Sequence, residues 1–222
     1  MSKPLHYLYR RTDREKPSRA TLIVMHGYGA NEFDLLGIAD YFKEPLTVLS
    51  FRAPLPVQWG GHAWYNLSQN PDGTLLADDA SRMESEEKIL AELPGILEET
   101  GSDPDNLFLM GFSQGAAMSY SLLGRHDLKK HGLGVKGLIA MSGYIPHDVM
   151  PNIGSKRFDD LPIFMSHGDE DLLVPSKALP IAKEIFESQG ARVDGKVYPG
   201  MGHSISDEVL ADLTAWLTRQ LS

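Results

Sequence analysis

Short apolar runs alternate along this chain with longer amphipathic stretches, and that alternation restricts it more than any other feature. The runs are "ATLIVM" (20–25), "LTVLSF" (46–51), "NLFLM" (106–110), "GLIAMS" (137–142), "PIFMSH" (162–167) and "RVDGKVY" (192–198). Most are apolar on both faces, as parallel strands are when helices cover both sides of a sheet. Helical stretches fit between them at about 31–42, 78–99, 114–125, 175–189 and 204–221. In the last, Val209, Leu210, Leu213, Trp216, Leu217 and Leu221 recur on one face, and Asp207, Glu208, Asp212 and Arg219 lie off it. "HYLYRR" near the start adds an antiparallel edge strand. The expectation is an α/β fold with a mostly parallel central sheet, helices on both faces and one domain over residues 1–222. Residues 52–77 and 143–161 are long and irregular, so they are candidates for substrate-facing walls.

At the end of the third run the chain reads "LFLMGFSQGAAMS" (107–119), which sets Ser113 between Gly111 and Gly115, after a strand and before a small-residue helix start. This is Gly-x-Ser-x-Gly in the context that the motif needs. A strand turning straight into a helix strains the corner residue, glycines two positions either side avoid collision, and the hydroxyl stands exposed above the sheet edge. A serine hydroxyl is a weak nucleophile until a base takes its proton, so a carboxylate and then a histidine are expected later in the chain. "PIFMSHGDEDLLVP" offers Asp169, Glu170 and Asp171 just beyond a strand, and "VYPGMGHSIS" offers His203 in the loop beyond the next. Of the eight histidines, His203 alone follows the acids on a loop after a strand. All these groups then emerge at the carboxyl ends of strands, where open α/β sheets place their sites.

Acyl transfer also needs donors for an oxyanion. The backbone N–H of Gln114, next to the nucleophile, is one. In "VMHGYGANEFD" the His26–Gly27 turn makes Tyr28 N–H the second. His26 and His167 also end strands and, with Asp169 or Asp171, could be pictured as metal ligands. No His-Glu-x-x-His or similar close pairing supports this, so no metal and no cofactor are expected; hydrogen bonding to nearby backbone is the reading of both histidines.

Composition narrows the chemistry. Cysteine is absent, which removes thiolate nucleophiles, disulfides and cysteine metal sites. A net charge of −9 opposes binding to nucleic acid and to anionic membranes. No stretch has the length of a signal peptide's apolar core or of a membrane span, so no stable membrane insertion and a cytoplasmic location are expected.

Taken in order, "HGYGAN", "FRAPLPV", "AWYNL", "LFLMGFSQGAAMS", "SGYIP", "HGDEDLLVP" and "GMGHS" resemble the carboxylesterase and acyl-protein thioesterase branch of the α/β-hydrolases, the phospholipase/carboxylesterase family. The resemblance spans residues 26 to 204. It implies a single-domain α/β-hydrolase without a large cap domain. "HGDEDLLVP" matches the family's His-Gly-x-x-Asp-x-x-Val-Pro and so selects Asp171 as the acid of a Ser113–His203–Asp171 triad. By the same resemblance "PVQWGGHAWYNLSQNPDG" belongs to the acyl-binding region, with Trp59, Trp64 and Tyr65 as pocket walls, although aromatics there can equally anchor the loop on the core. Asn31 and Asn66 depart from the residues common in thioesterase members and bear on chain-length preference. A dienelactone-type hydrolase is excluded because there is no cysteine.

The expected activity is hydrolysis of short- to medium-chain carboxylic esters. An acyl-protein thioesterase or lysophospholipase acting on long acyl chains is the alternative, and a non-catalytic ligand-binding protein on the same scaffold is a distant one. The expected partner is a small-molecule ester or acyl-thioester. Leu55, Val57 and Trp59, read as exposed apolar loop residues, would support a homodimer.

Overall fold

The computed structural model describes residues 3–58, 60–71 and 75–222. Seven strands form the main sheet: β1 (Tyr7–Arg11), β2 (Ala20–Met25), β3 (Leu46–Phe51), β8 (Leu107–Phe112), β9 (Val135–Met141), β10 (Pro162–Gly168) and β11 (Arg192–Tyr198). Their spatial order is β1-β3-β2-β8-β9-β10-β11. β1 pairs antiparallel with β3 through Tyr7↔Phe51 to Arg11↔Thr47, and every other pairing is parallel. The expected runs are therefore the strands, with the edge strand in place.

Alternation along each strand divides the core into two layers. Ile23, Met25, Leu49, Leu107 and Leu109 face one side, where α1 (Asp79–Thr100), α2 (Gln114–Arg125), the short α3 (Met150–Gly154) and α4 (Ala178–Ser188) contribute Ile89, Met118, Ile153 and Phe186. Leu22, Val24, Val48, Phe108 and Met110 face the other, covered by α5 (Asp207–Leu221). Trp216 of α5 is buried edge-on against Phe108, with ring centroids 6.2 Å apart. Among the described residues no helix is long and apolar enough to cross a membrane.

Three stretches differ from expectation. Residues 31–42 hold a short 3₁₀ helix, Leu36–Tyr41, in place of an α-helix. Asn31 is the cause: its side chain accepts from Phe33 N–H at 2.9 Å, its carbonyl accepts from Asp34 N–H at 3.1 Å, and the bonds that follow skip three residues, as from Ile38 N–H to Leu35 O. Residues 52–77 carry two short antiparallel pairs, β4 (Leu55–Pro56) with β5 (His62–Ala63) and β6 (Leu67–Gln69) with β7 (Leu75–Ala77). Leu55 and Val57 are half-buried there, and Trp59 lies outside the described residues. Residues 143–161 hold α3.

From β2 the chain moves to β3 on one side, and from β8 onward it proceeds to the other. A crevice opens at such a reversal, beyond the carboxyl ends of the two strands. β2 runs into His26-Gly27-Tyr28 there, and β8 into Ser113.

Candidate active site

Ser113 occupies the corner between β8 and α2 with φ 53° and ψ −115°, a backbone conformation that side chains other than glycine rarely adopt. Its N–H is held by Met141 O at 2.9 Å and its carbonyl accepts from Ala117 N–H at 3.1 Å, so strand and helix together fix the strain. The flanking glycines have measurable reasons. A Cβ on Gly111 would lie 2.2 Å from the carbonyl of Gly115, and one on Gly115 would lie 1.9 Å from Met25 O.

Above this corner, Ser113 Oγ lies 2.9 Å from His203 Nε2, and His203 Nδ1 lies 2.7 Å from Asp171 Oδ2. The carboxylate can only accept, so Nδ1 carries the proton and Nε2 is free to accept from the hydroxyl. The Phe112 ring packs 4.9 Å from the imidazole. Asp171 Oδ1 accepts from Leu173 N–H and Val174 N–H, each at 2.9 Å. Burial pushes the acid's pKa up, but the bonds from His203 and the two amides outweigh it and hold the carboxyl below its usual range. The β11–α5 loop comes this close because residue 168 is glycine: a Cβ there would lie 1.9 Å from Met201 O.

His26 is neutral with its proton on Nδ1, since that atom faces Gly27 O at 2.7 Å while Nε2 accepts from Ala53 N–H at 3.1 Å. Burial lowers its pKa, in keeping with that state. Among the described residues His, Asp and Glu form no group of three able to hold a metal ion. Tyr28 N–H and Gln114 N–H have no internal hydrogen-bond partner among the described residues, and both residues line the cavity over Ser113.

That cavity measures about 710 Å³. Its walls are largely apolar, with Leu67, Ala77, Phe112, Ile145, Met150, Leu173 and Ile181 among them. Tyr65 lines it and shares a 2.9 Å hydrogen bond with Tyr144, a second wall residue that sequence reasoning did not single out. Burial raises the pKa of both phenols. Trp64 is not a wall, which corrects the expectation. It is wholly buried, with its indole N–H donating to His26 O at 2.9 Å and its backbone N–H to Gln114 Oε1 at 2.8 Å. Its role is the alternative one, an anchor for the 52–77 segment. Trp59 lies outside the described residues.

Two further features go beyond the roles read from the sequence, although His167 was read as bonding nearby backbone. The Gln114 side chain clamps that segment, since its Nε2 also donates to Tyr65 O at 2.7 Å. His167 Nε2 lies 2.9 Å from Val174 O and 3.2 Å from Asp171 Oδ2.

Comparison with known proteins bears on this arrangement. The phospholipase/carboxylesterase family matches residues 12–221. Acyl-protein thioesterase 1 of Kluyveromyces lactis is 28% identical over 96% of each chain. Carboxylesterase SOBER1 of Arabidopsis thaliana is 32% identical over 72% of this chain and 68% of its own. In three dimensions esterase PE8 superposes with a TM-score of 0.84 over 98% of this chain and 99% of its own, at 24% identity, a likeness of fold. With a family match over nearly its whole length, the chain belongs to the phospholipase/carboxylesterase family of α/β-hydrolases and is an ester hydrolase of that family.

Proposed function

We propose that residues 1–222 act as one α/β-hydrolase domain that cleaves short- to medium-chain carboxylic esters through an acyl-enzyme on Ser113. The observation that carries this is the relay Ser113 Oγ–His203–Asp171, at 2.9 and 2.7 Å, on the floor of an apolar cavity. In the first step His203 Nε2 takes the hydroxyl proton as Oγ bonds to the substrate carbonyl carbon. Negative charge then develops on the carbonyl oxygen, and the unpartnered N–H groups of Tyr28 and Gln114 receive it. Collapse expels the alkoxide or thiolate, which takes the proton from His203. Water repeats the sequence on the acyl-enzyme and frees Ser113. Asp171 stays ionised throughout, orients the imidazole and stabilises the imidazolium.

A second reading, a thioesterase or lysophospholipase for long acyl chains, is favoured by one observation: the apolar lining continues from Ser113 to Ile181 of α4. The net charge of −9 disfavours substrates held on anionic surfaces.

Hydrolysis of p-nitrophenyl esters from acetate to palmitate, alongside Ser113→Ala, tests both. The expected result is a maximum at short to medium chains and a loss in the variant of at least about a thousandfold in kcat. Rates climbing steadily to palmitate would favour the second reading. Hydrolysis surviving in Ser113→Ala would reject the nucleophile.

A further inference from the structure

We infer that His167 is a positioning residue for this reaction: its Nε2–H, bonded to Val174 O and set beside Asp171 Oδ2, fixes the acid's loop and offsets part of the charge that Asp171 presents to His203. The inference rests on the triad proposed above. His167 is the penultimate residue of β10 and is buried, and it precedes Asp171 by one turn of chain. Both oxygens near its Nε2, at 2.9 and 3.2 Å, are acceptors without a proton of their own. The contacts are therefore favourable only if Nε2 carries the hydrogen, and this assigns the tautomer.

With that assignment Asp171 has three hydrogen-bond donors, two amides on Oδ1 and the imidazole of His203 on Oδ2, and the His167 N–H stands beside Oδ2 at 3.2 Å. A carboxylate offers about four lone-pair sites, so bonds on both oxygens of this one resist its turning. Charge follows the same geometry. The positive end of the His167 N–H dipole beside Oδ2 weakens the pull of that oxygen on the imidazolium formed in the reaction, so removing it strengthens the pull. Other charged groups stand further off. Asp169 and Glu170, on the acid's own loop, are exposed, and Asp169 Oδ1 is occupied by Gly200 N–H at 2.7 Å. Lys177, just before α4, is exposed at the cavity mouth. Val197 of β11, paired with His167, and Ser142, just after β9, are uncharged.

His167→Leu removes the donor, whereas His167→Gln keeps an N–H close to the place of Nε2. With a p-nitrophenyl ester, His167→Leu is expected to lose about tenfold or more in kcat, the scale seen when the group behind a functional side chain is removed. KM should stay within about twofold, and the acid limb of kcat/KM against pH should move up. His167→Gln should recover most of both. A leucine variant with the wild-type rate and limb, or a glutamine variant as impaired as leucine, would overturn the inference. Nitrogen-15 NMR of the unmodified protein gives a reading independent of folding in either variant: His167 is expected as the Nε2–H tautomer, and Nδ1–H would overturn the inference. Ser113→Ala, run in parallel, reports on the triad alone; if it keeps its activity, the reading underneath fails whatever tautomer His167 shows.

Discussion

Three acidic side chains stand in a row after β10, and geometry separates their roles. Asp171 is buried and faces His203, whereas Asp169 is exposed and serves the backbone of Gly200. Replacing Asp171 by Asn leaves its shape but presents an amide where an acceptor must hold Nδ1–H, so the imidazole adopts the wrong tautomer. Asp171→Asn is expected to lower kcat by about three to four orders of magnitude. Asp169→Asn keeps an acceptor for Gly200 and should change kcat by less than about threefold. Steady-state rates on a single ester distinguish them, and the reverse ranking would mean that the acid is misassigned. At this scale the sequence was legible where a residue is tied to local chain geometry. Ser113 could be read from its own strand, glycines and helix. Asp171 could not be separated from Asp169 and Glu170 by chemistry, only by resemblance, because what distinguishes it is contact with a loop 32 residues away.

The loop from His26 to Asp34 carries Tyr28 N–H, and it is held from outside itself. Gly29 N–H donates to His62 O and His62 N–H to Ala30 O, at 2.9 and 2.8 Å. Glu32, fully buried, takes a two-pronged contact from Arg52, with Nε at 2.7 Å, and His6 Nδ1 lies 3.6 Å away. The Arg52 hydrogen bonds are the main reason that the carboxyl is lowered to about 2 from an ordinary 4.5. A folded-state pKa below the unfolded one contributes stability that is complete above about 4.5 and disappears as pH falls through about 2. Glu32→Gln should therefore cost about 1–2 kcal/mol at pH 7, a figure reduced for the partial exposure of Arg52, and the gap to wild type should narrow between pH 4.5 and 2. Urea unfolding at several pH values measures it, and a gap that does not depend on pH would contradict the assigned cause. Tyr28 N–H was readable in advance, but what holds its loop was not. The apolar spacing of Leu35, Leu36, Ile38, Ala39 and Phe42 suggests a helix, and only the turn made by Asn31 blocks it. Glu32 looks like a surface residue until Arg52, 20 positions on, is placed beside it. Trp64 is similar, since pocket wall and core anchor have the same composition.

Across the whole molecule, one charged network runs through the helical layer that carries the cavity. Arg82 and Glu86 of α1 are wholly buried side by side, with Arg82 Nη1 2.6 Å from Glu86 Oε1. Glu86 also accepts from Ser121 of α2 at 2.5 Å and faces His126 at 2.7 Å. Arg82 reaches Asp148 at 2.7 Å, and Arg125 reaches the same carboxylate at 3.0 Å. Asp148 sits between the wall residues Tyr144, Ile145 and Met150, so the network ties one side of the cavity to α1 and α2. Desolvating such charges costs nearly as much as their attraction returns, so the network's value lies in keeping every member paired. Removing one member should then be worse than removing two. Glu86→Leu is expected to destabilise by about 3–5 kcal/mol because Arg82 stays buried without its nearest charged partner, whereas Arg82→Met with Glu86→Leu should come within about 1 kcal/mol of wild type. Denaturant midpoints measure both. In the double variant Asp148 keeps only Arg125, so the wall is less firmly held and KM should rise more for long esters, if their chains pack on Ile145 and Met150, than for acetate. Equal losses in the single and double variants would mean that the network acts through packing volume; a KM unchanged across chain lengths would mean that Asp148 does not hold the wall.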